Sequence, residues 1–247
     1  MIQISARTRS LEAAEIILAQ GFSIQEITLP CPGGLEEEQA WGELARRRGL
    51  TLLGHGPEEG DPRILSRLES EYLPQLKLAL EAAERLGVTL LTIHLWLDSN
   101  RLGPEVIKGK IDLLGRVVEW GVDAGVLVNL ENLSETWTDL ASPLNRYQGL
   151  GLTVDLGHAM LMHPENTAPE IINRLYERIH HLHIHDNHGG GSPRDDLHLF
   201  PGQGKVPFPQ IFRLLKERGY NRTATLELEP PEMASARDWV LALWQDL

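Results

Sequence analysis

The sequence predicts an α/β fold, a single closed (β/α)8 TIM barrel, and three observations predict it. Short Val/Leu/Ile-rich runs alternate with amphipathic helical patterns along all 247 residues. The runs are almost continuously apolar, as parallel strands covered on both faces are. Eight such pairs suit a closed barrel of this length better than an open doubly wound sheet, and no GxGxxG or GxxxxGKS pattern follows the first strand.

Taken in order, IQIS (2–5) reads as the first strand and LEAAEIILAQ (11–20) as its helix, stopped by Gly21. IQEITL (24–29) leads through PCPGG to the helix EEEQAWGELARRR (36–48). LTLLGH (50–55) precedes one long periodic segment, ILSRLESEYLPQLKLALEAAERL (64–86), ended by Gly87. VTLLTIH (88–94) precedes PEVIKGKIDLLGRVVEW (104–120), whose Pro104 suits a first helical turn. VLVNLE (126–131) is followed by a shorter helix near SETWTDLASPLNRY (134–147). GLTVD (151–155) gives way to helical GHAMLM (157–162) and APEIINRLYERI (168–179). HHLHIH (180–185) is followed by a long loop and FPQIFRLLKERG (208–219). TATLELE (223–229) and the helix MASARDWVLALW (233–244) complete the pattern.

No linker or low-complexity stretch divides residues 1–247, so the chain reads as one domain, and a hydrophobic share of 42% can fill its core. Lys plus Arg is 23 and Asp plus Glu is 35, so the formal charge is 23 − 35 = −12. That acidity opposes non-specific attraction to nucleic acid, leaving a local basic patch as the way such binding would survive. Cys31 is the sole cysteine, which excludes an intrachain disulfide and a thiolate metal site and points to a reducing compartment. It follows the second strand with no activating pattern around it, so an incidental role is expected. MIQISARTRS lacks a signal-peptide core, and no run approaches the ~18 apolar residues of a membrane span. The expected location is the cytoplasm. A homo-oligomer is compatible with the sequence.

The informative positions are the strand ends. His55, His94, Glu131, Asp155, His183, His185 and Glu227 or Glu229 fall there, and a barrel of parallel strands gathers such ends at one mouth. Singly, each histidine is more often a hydrogen-bonded structural residue than a ligand, and each carboxylate more often a helix cap. Collectively, several carboxylates at one mouth need partners, and imidazoles with carboxylates suit a divalent cation. His158 follows Asp155 by about one helical turn. Period-two geometry puts His181, His183 and His185 on one strand face, where His181 is expected to fill the barrel. Asp196 and His198 form an Asp-x-His pair on a loop. The adjoining DNHGGGSPRDD segment reads equally as a plain surface loop and as a lid or phosphate loop, with Arg194 and Lys205 as candidate anion contacts and Trp96 as a candidate pocket wall.

The succession GHGP, TIHLW, LENL, VDLGHA, HLHIHDN, DLHLFPGQG and LELEP, from about His55 to Glu229, resembles the xylose-isomerase-like TIM-barrel superfamily. That group holds sugar and sugar-phosphate isomerases and epimerases and the endonuclease IV class of apurinic-site nucleases. The resemblance implies Glu131, Asp155, His183 and Glu227 as ligands of one divalent metal. His183 is favoured over His185 by its spacing to Asp186, while Glu227 and Glu229 share a strand face. The nuclease class adds His55, His94, His158, Asp196 and His198, for up to three zinc ions, and some isomerase-like proteins keep that larger set.

The expected function is therefore a metal-dependent isomerase or epimerase acting on a small sugar or sugar phosphate. Glu131 and Glu227 would be the catalytic pair that exchanges protons with the carbon beside a polarised carbonyl. Imidazole-rich ligation favours zinc or manganese over magnesium. One alternative is zinc-dependent phosphodiester hydrolysis in DNA. The basic RTR at 7–9 favours it, and the acidic loops PCPGGLEEE and HGPEEGDPR oppose it. The other is a non-catalytic metal- or sugar-binding barrel.

Overall fold

The computed structural model describes residues 2–247 and shows eight parallel strands closed in chain order, β1 to β8, with β8 returning to β1. The strands are β1 Gln3–Thr8, β2 Ile24–Thr28, β3 Thr51–His55, β4 Leu90–His94, β5 Leu127–Glu131, β6 Leu150–Asp155, β7 Ile179–Ile184 and β8 Thr223–Leu226. Around them lie α1 Leu11–Ala19, α2 Gly34–Arg48, α3 Leu65–Arg67, α4 Leu73–Leu86, α5 Pro104–Ala124, α6 Trp137–Arg146, α7 Ala168–Leu175, α8 Phe208–Glu217 and α9 Met233–Asp246. The core is a shell between strands and helices, where outward-facing Leu91, Val128, Leu152, Leu182 and Ala224 meet Leu80, Leu114, Ile171, Ile211 and Val240.

Inward-facing positions are polar to an unusual degree for a barrel interior. Ser5 bonds Thr225 at 2.6 Å, Thr92 bonds Thr153 at 2.8 Å, and Asn129 donates to Thr153 at 3.1 Å. These groups are fully buried and form a layer beneath the mouth.

Two departures from the sequence reading matter for the site. The periodic segment 64–86 is not one uniform helix: a π-helical turn over Leu68–Tyr72 separates α3 from α4. Pro74 follows that turn and has no N–H to offer the preceding one, which loosens the regular ladder there. The turn aims Tyr72, whose phenol donates to the His94 backbone carbonyl at the end of β4. At the other side, β8 ends at Leu226, three residues before the expected limit. One last backbone bond, from the Glu227 N–H to the Ile184 carbonyl at 3.2 Å, ends the pairing before the chain reaches Pro230 and Pro231.

The register sets the mouth. His94 pairs with Glu131 across β4 and β5, and Asp155 with His183 across β6 and β7. Neighbouring strands therefore bring a histidine and a carboxylate side by side twice.

Candidate metal centre

Glu131, fully buried at the end of β5, is ringed by four imidazoles. Its Oε1 lies 3.1 Å from His158 Nδ1 and 3.2 Å from His183 Nδ1. Its Oε2 lies 3.1 Å from His94 Nε2 and 3.5 Å from His55 Nε2. His183 Nδ1 is also 3.7 Å from Asp155 Oδ2 and 3.5 Å from Glu227 Oε1, so one imidazole nitrogen faces three carboxylates. Asp155 accepts the His158 backbone N–H at 2.7 Å and contacts His185 Nε2 at 3.0 Å. Asp196 Oδ2 sits 3.2 Å from His158 Nε2 and 3.1 Å from His198 Nε2. All nine sequence-derived candidates thus meet in one cluster.

Within it, ligand-type atoms converge in three overlapping groups, His55–His94–Glu131, Glu131–Asp155–His183 and His55–His183–Glu227, and in a fourth, His158–His185–Asp196–His198, which adjoins them through His158 beside Glu131. The alternatives left by the strand pattern take different places relative to the cluster. Glu227 faces the cluster while Glu229 is exposed. His183 faces the carboxylates, His185 lies between Asp155 and Asp196, and His181 points into the barrel interior, bonded to Thr223 and Thr225. Gly157 leaves room for the His185 ring, which a β-carbon there would overlap. His198 adopts φ = 45°, a left-handed conformation uncommon for a side-chain-bearing residue and often found where function dictates geometry.

The residues fit a cation. Glu131 Oε1, His183 Nδ1, His185 Nδ1 and Asp196 Oδ1 are buried without a hydrogen-bond partner among the described residues, a cost a bound ion would remove. The donor set is nitrogen and oxygen only, which suits zinc or manganese. Burial alone would raise the Glu131 carboxyl, yet His183, His94 and His158 hold it well below its ordinary value. Asp155 is likewise brought down to about 2 by His158 and His185 against the effect of burial. Burial opposes charge on His183 and His158 too, but the carboxylates around them lift both well above the usual imidazole range.

Two cavities open beside the cluster. One, of about 570 Å³, is bounded by His94, His158 and Asp196 together with Trp96, Arg63 and Arg101. The other, of about 340 Å³, is bounded by Arg7, His198 and Glu227. Arg194 and Lys205 are exposed and line neither. The loop after β7 is held by Asp186, which accepts the N–H groups of Gly202, Gly204 and Val206 at 2.8–3.0 Å. Within the loop itself, the Gly189 and Ser192 N–H groups are taken by the side chains of Asn187 and Asp195.

Other groups at the mouth escaped the sequence reading. Lys110, fully buried on α5, pairs with Glu59 at 2.5 Å and donates to the Trp96 and Pro62 carbonyls. Glu59 in turn accepts the Trp96 N–H at 2.8 Å, and Trp96 Nε1 donates to Ser134 at 2.8 Å, so this wall is rigidly pinned. Its signal was present: Lys110 falls three after Ile107 and four before Leu114, on the apolar face of its helix. Glu26, in the middle of β2, is the second omission. An acid inside an apolar strand demands a buried partner, and it has two, His181 and His183.

The model of the xylose isomerase-like TIM barrel family matches residues 16–243. The chain belongs to that family. Fructoselysine 3-epimerase of Shigella flexneri is 25% identical over 218 residues, which make up 79% of this chain and 73% of that protein. Among solved structures, a D-tagatose 3-epimerase-like protein superposes with a TM-score of 0.85 at 23% identity, covering 99% of both chains. A Thermus thermophilus protein soaked with zinc chloride gives a TM-score of 0.78 at 25% identity, covering 100% of this chain and 99% of that one. No helix among the described residues is long and apolar enough to cross a membrane.

Proposed function

We propose that this chain is a divalent-metal-dependent isomerase or epimerase of a small sugar or sugar phosphate, with Glu131, Asp155, His183 and Glu227 as the ligand set. The observation that carries the reading is the convergence of three carboxylates on the unpartnered Nδ1 of His183, beside an open cavity. A divalent ion held there would polarise a substrate carbonyl and ease proton removal from the adjacent carbon.

Glu227 would exchange that proton, a role supported by its position at the edge of the 340 Å³ cavity. Arg7, 3.8 Å away, forms an ion pair with it at the cavity edge. Glu131, whose carboxylate meets the same His183 nitrogen, would be the partner acid across a bound substrate. The similarity to fructoselysine 3-epimerase supports the same reaction class.

A second reading draws on one specific observation, the enclosure of Glu131 by His55, His94, His158 and His183. A carboxylate so enclosed would also suit a larger ligand set. Together with Asp196 and His198 it suits a cluster of up to three zinc ions and phosphodiester hydrolysis at apurinic sites.

Incubation of a ketose and aldose panel in D2O separates the two. The isomerase reading expects deuterium at the carbon next to the carbonyl, with conversion lost after chelation and restored by zinc or manganese. Nicking of an abasic-site duplex with no exchange into any sugar would instead select the nuclease reading.

A further inference from the structure

We propose that Glu26 is the positioning residue of the metal centre, acting through His183. It lies on β2, across the barrel interior from β7, and is fully buried. Its Oε2 and Oε1 lie 3.1 and 3.2 Å from His183 Nε2. The imidazole can thus donate Nε2–H to the carboxylate, which fixes the tautomer and leaves the Nδ1 lone pair free. That is the nitrogen facing Glu131, Asp155 and Glu227 without a partner of its own. Metal-binding imidazoles commonly hand their second N–H to a carboxylate in this way, which orients the ring and strengthens it as a donor.

The arrangement extends downward. The same Glu26 Oε2 is 3.2 Å from His181 Nε2, and His181 is held at its other nitrogen by Thr223 at 2.7 Å. His181 also contacts Thr225 at 2.8 Å, which bonds Ser5. The interior polar layer therefore anchors Glu26, and Glu26 anchors the ligand. This explains why an acid and a second histidine occupy a barrel interior that apolar residues would otherwise fill.

The proposal rests on the metal-centre reading but not on the reaction assigned to it. Its test is cobalt(II) and zinc affinity, by competition with a chromophoric chelator, for the wild type, Glu26→Gln, Glu26→Ala and His183→Ala. The double variant of His183→Ala with Glu26→Gln completes the set. Loss of an outer partner of this kind costs about 10- to 100-fold in affinity. Glu26→Gln, which keeps a hydrogen-bond acceptor, should lie near the lower figure, and Glu26→Ala near the upper. The cobalt d–d bands should shift in both.

In the His183→Ala background, Glu26→Gln should change affinity less than twofold, because the ring through which it acts is gone. Equal losses in both backgrounds would overturn the proposal and leave Glu26 a general structural residue. So would wild-type affinity and spectrum in a folded Glu26→Gln, which keeps the test decisive if Glu26→Ala fails to fold. A wild type that binds neither ion sinks the metal-centre reading itself, a result distinct from either.

Discussion

The barrel mouth and the layer directly beneath it are built from similar polar side chains, yet they differ in how those side chains are satisfied. Below, Ser5 has Thr225, Thr92 has Thr153, and His181 has Thr223, Thr225 and Glu26. Asn129 Oδ1 is the lone unpartnered atom in that layer among the described residues. Above, orphaned atoms fall on Glu131 and His183 in one ligand group and on His185 and Asp196 in the adjoining one. A buried polar group that evolution has paired is filler and scaffold, and one left facing others of its kind awaits a ligand. The difference separates site from support where residue type alone would not.

The comparison breaks most visibly at Glu131. Structural zinc sites with four ligands bind with roughly 10–16 kcal/mol, so a single ligand is worth about 2.5–4 kcal/mol, or roughly a hundredfold to several hundredfold in affinity. Glu131→Gln should lose ion affinity by about that much in competition titrations, and undiminished binding would remove it from the centre.

Next comes proton competition. Burial pulls the His198 imidazole down, but Asp196 against it and Glu227 nearby lift it to about 9. His94, His158 and His183 are raised as well. A raised imidazole binds its proton more tightly in the folded, ion-free protein, and an incoming ion must displace it. Affinity should therefore climb about tenfold per pH unit for each proton displaced, and keep climbing to about pH 9. A plateau from pH 6.5 would show that the imidazoles are ordinary. The same raised values stabilise the ion-free fold. His198 contributes fully below the unfolded imidazole value of about 6.5, and its contribution is lost as pH rises through about 9.

The smallest effect belongs below the mouth. Thr92→Val leaves Thr153 still bonded by Asn129 and should cost about 1 kcal/mol in denaturant unfolding, with ion affinity changed less than twofold. A large affinity loss there would erase the distinction between the two layers.

Much of this was legible in the sequence, for stated reasons. The eight strands and their helices announce themselves because apolar runs and 3.6-residue periodicity are local signals. Strand ends at His55, His94, Glu131 and Asp155 agree with the structure to the residue, since each apolar run stops at the first ligand-type side chain. The π-helical turn over Leu68–Tyr72 was hidden in an unbroken helical pattern. The end of β8 at Leu226 was hidden by two further alternating positions. The choice between Glu227 and Glu229 needed three-dimensional placement, because period two gives both the same face. Glu26 and Lys110 were readable in principle as charges on apolar faces, but their partners lie 157 and 51 residues away along the chain. No local pattern reports a pairing of that range.

The most direct test of the central claim is metal content per chain, by elemental analysis of protein purified without added metal. At least one zinc or manganese ion per chain is expected. One ion points to the four-ligand set around His183, and two or three mean that His55, His94, His158, Asp196 and His198 also ligate. Protein that carries no divalent metal, and takes up none on reconstitution, would contradict that claim.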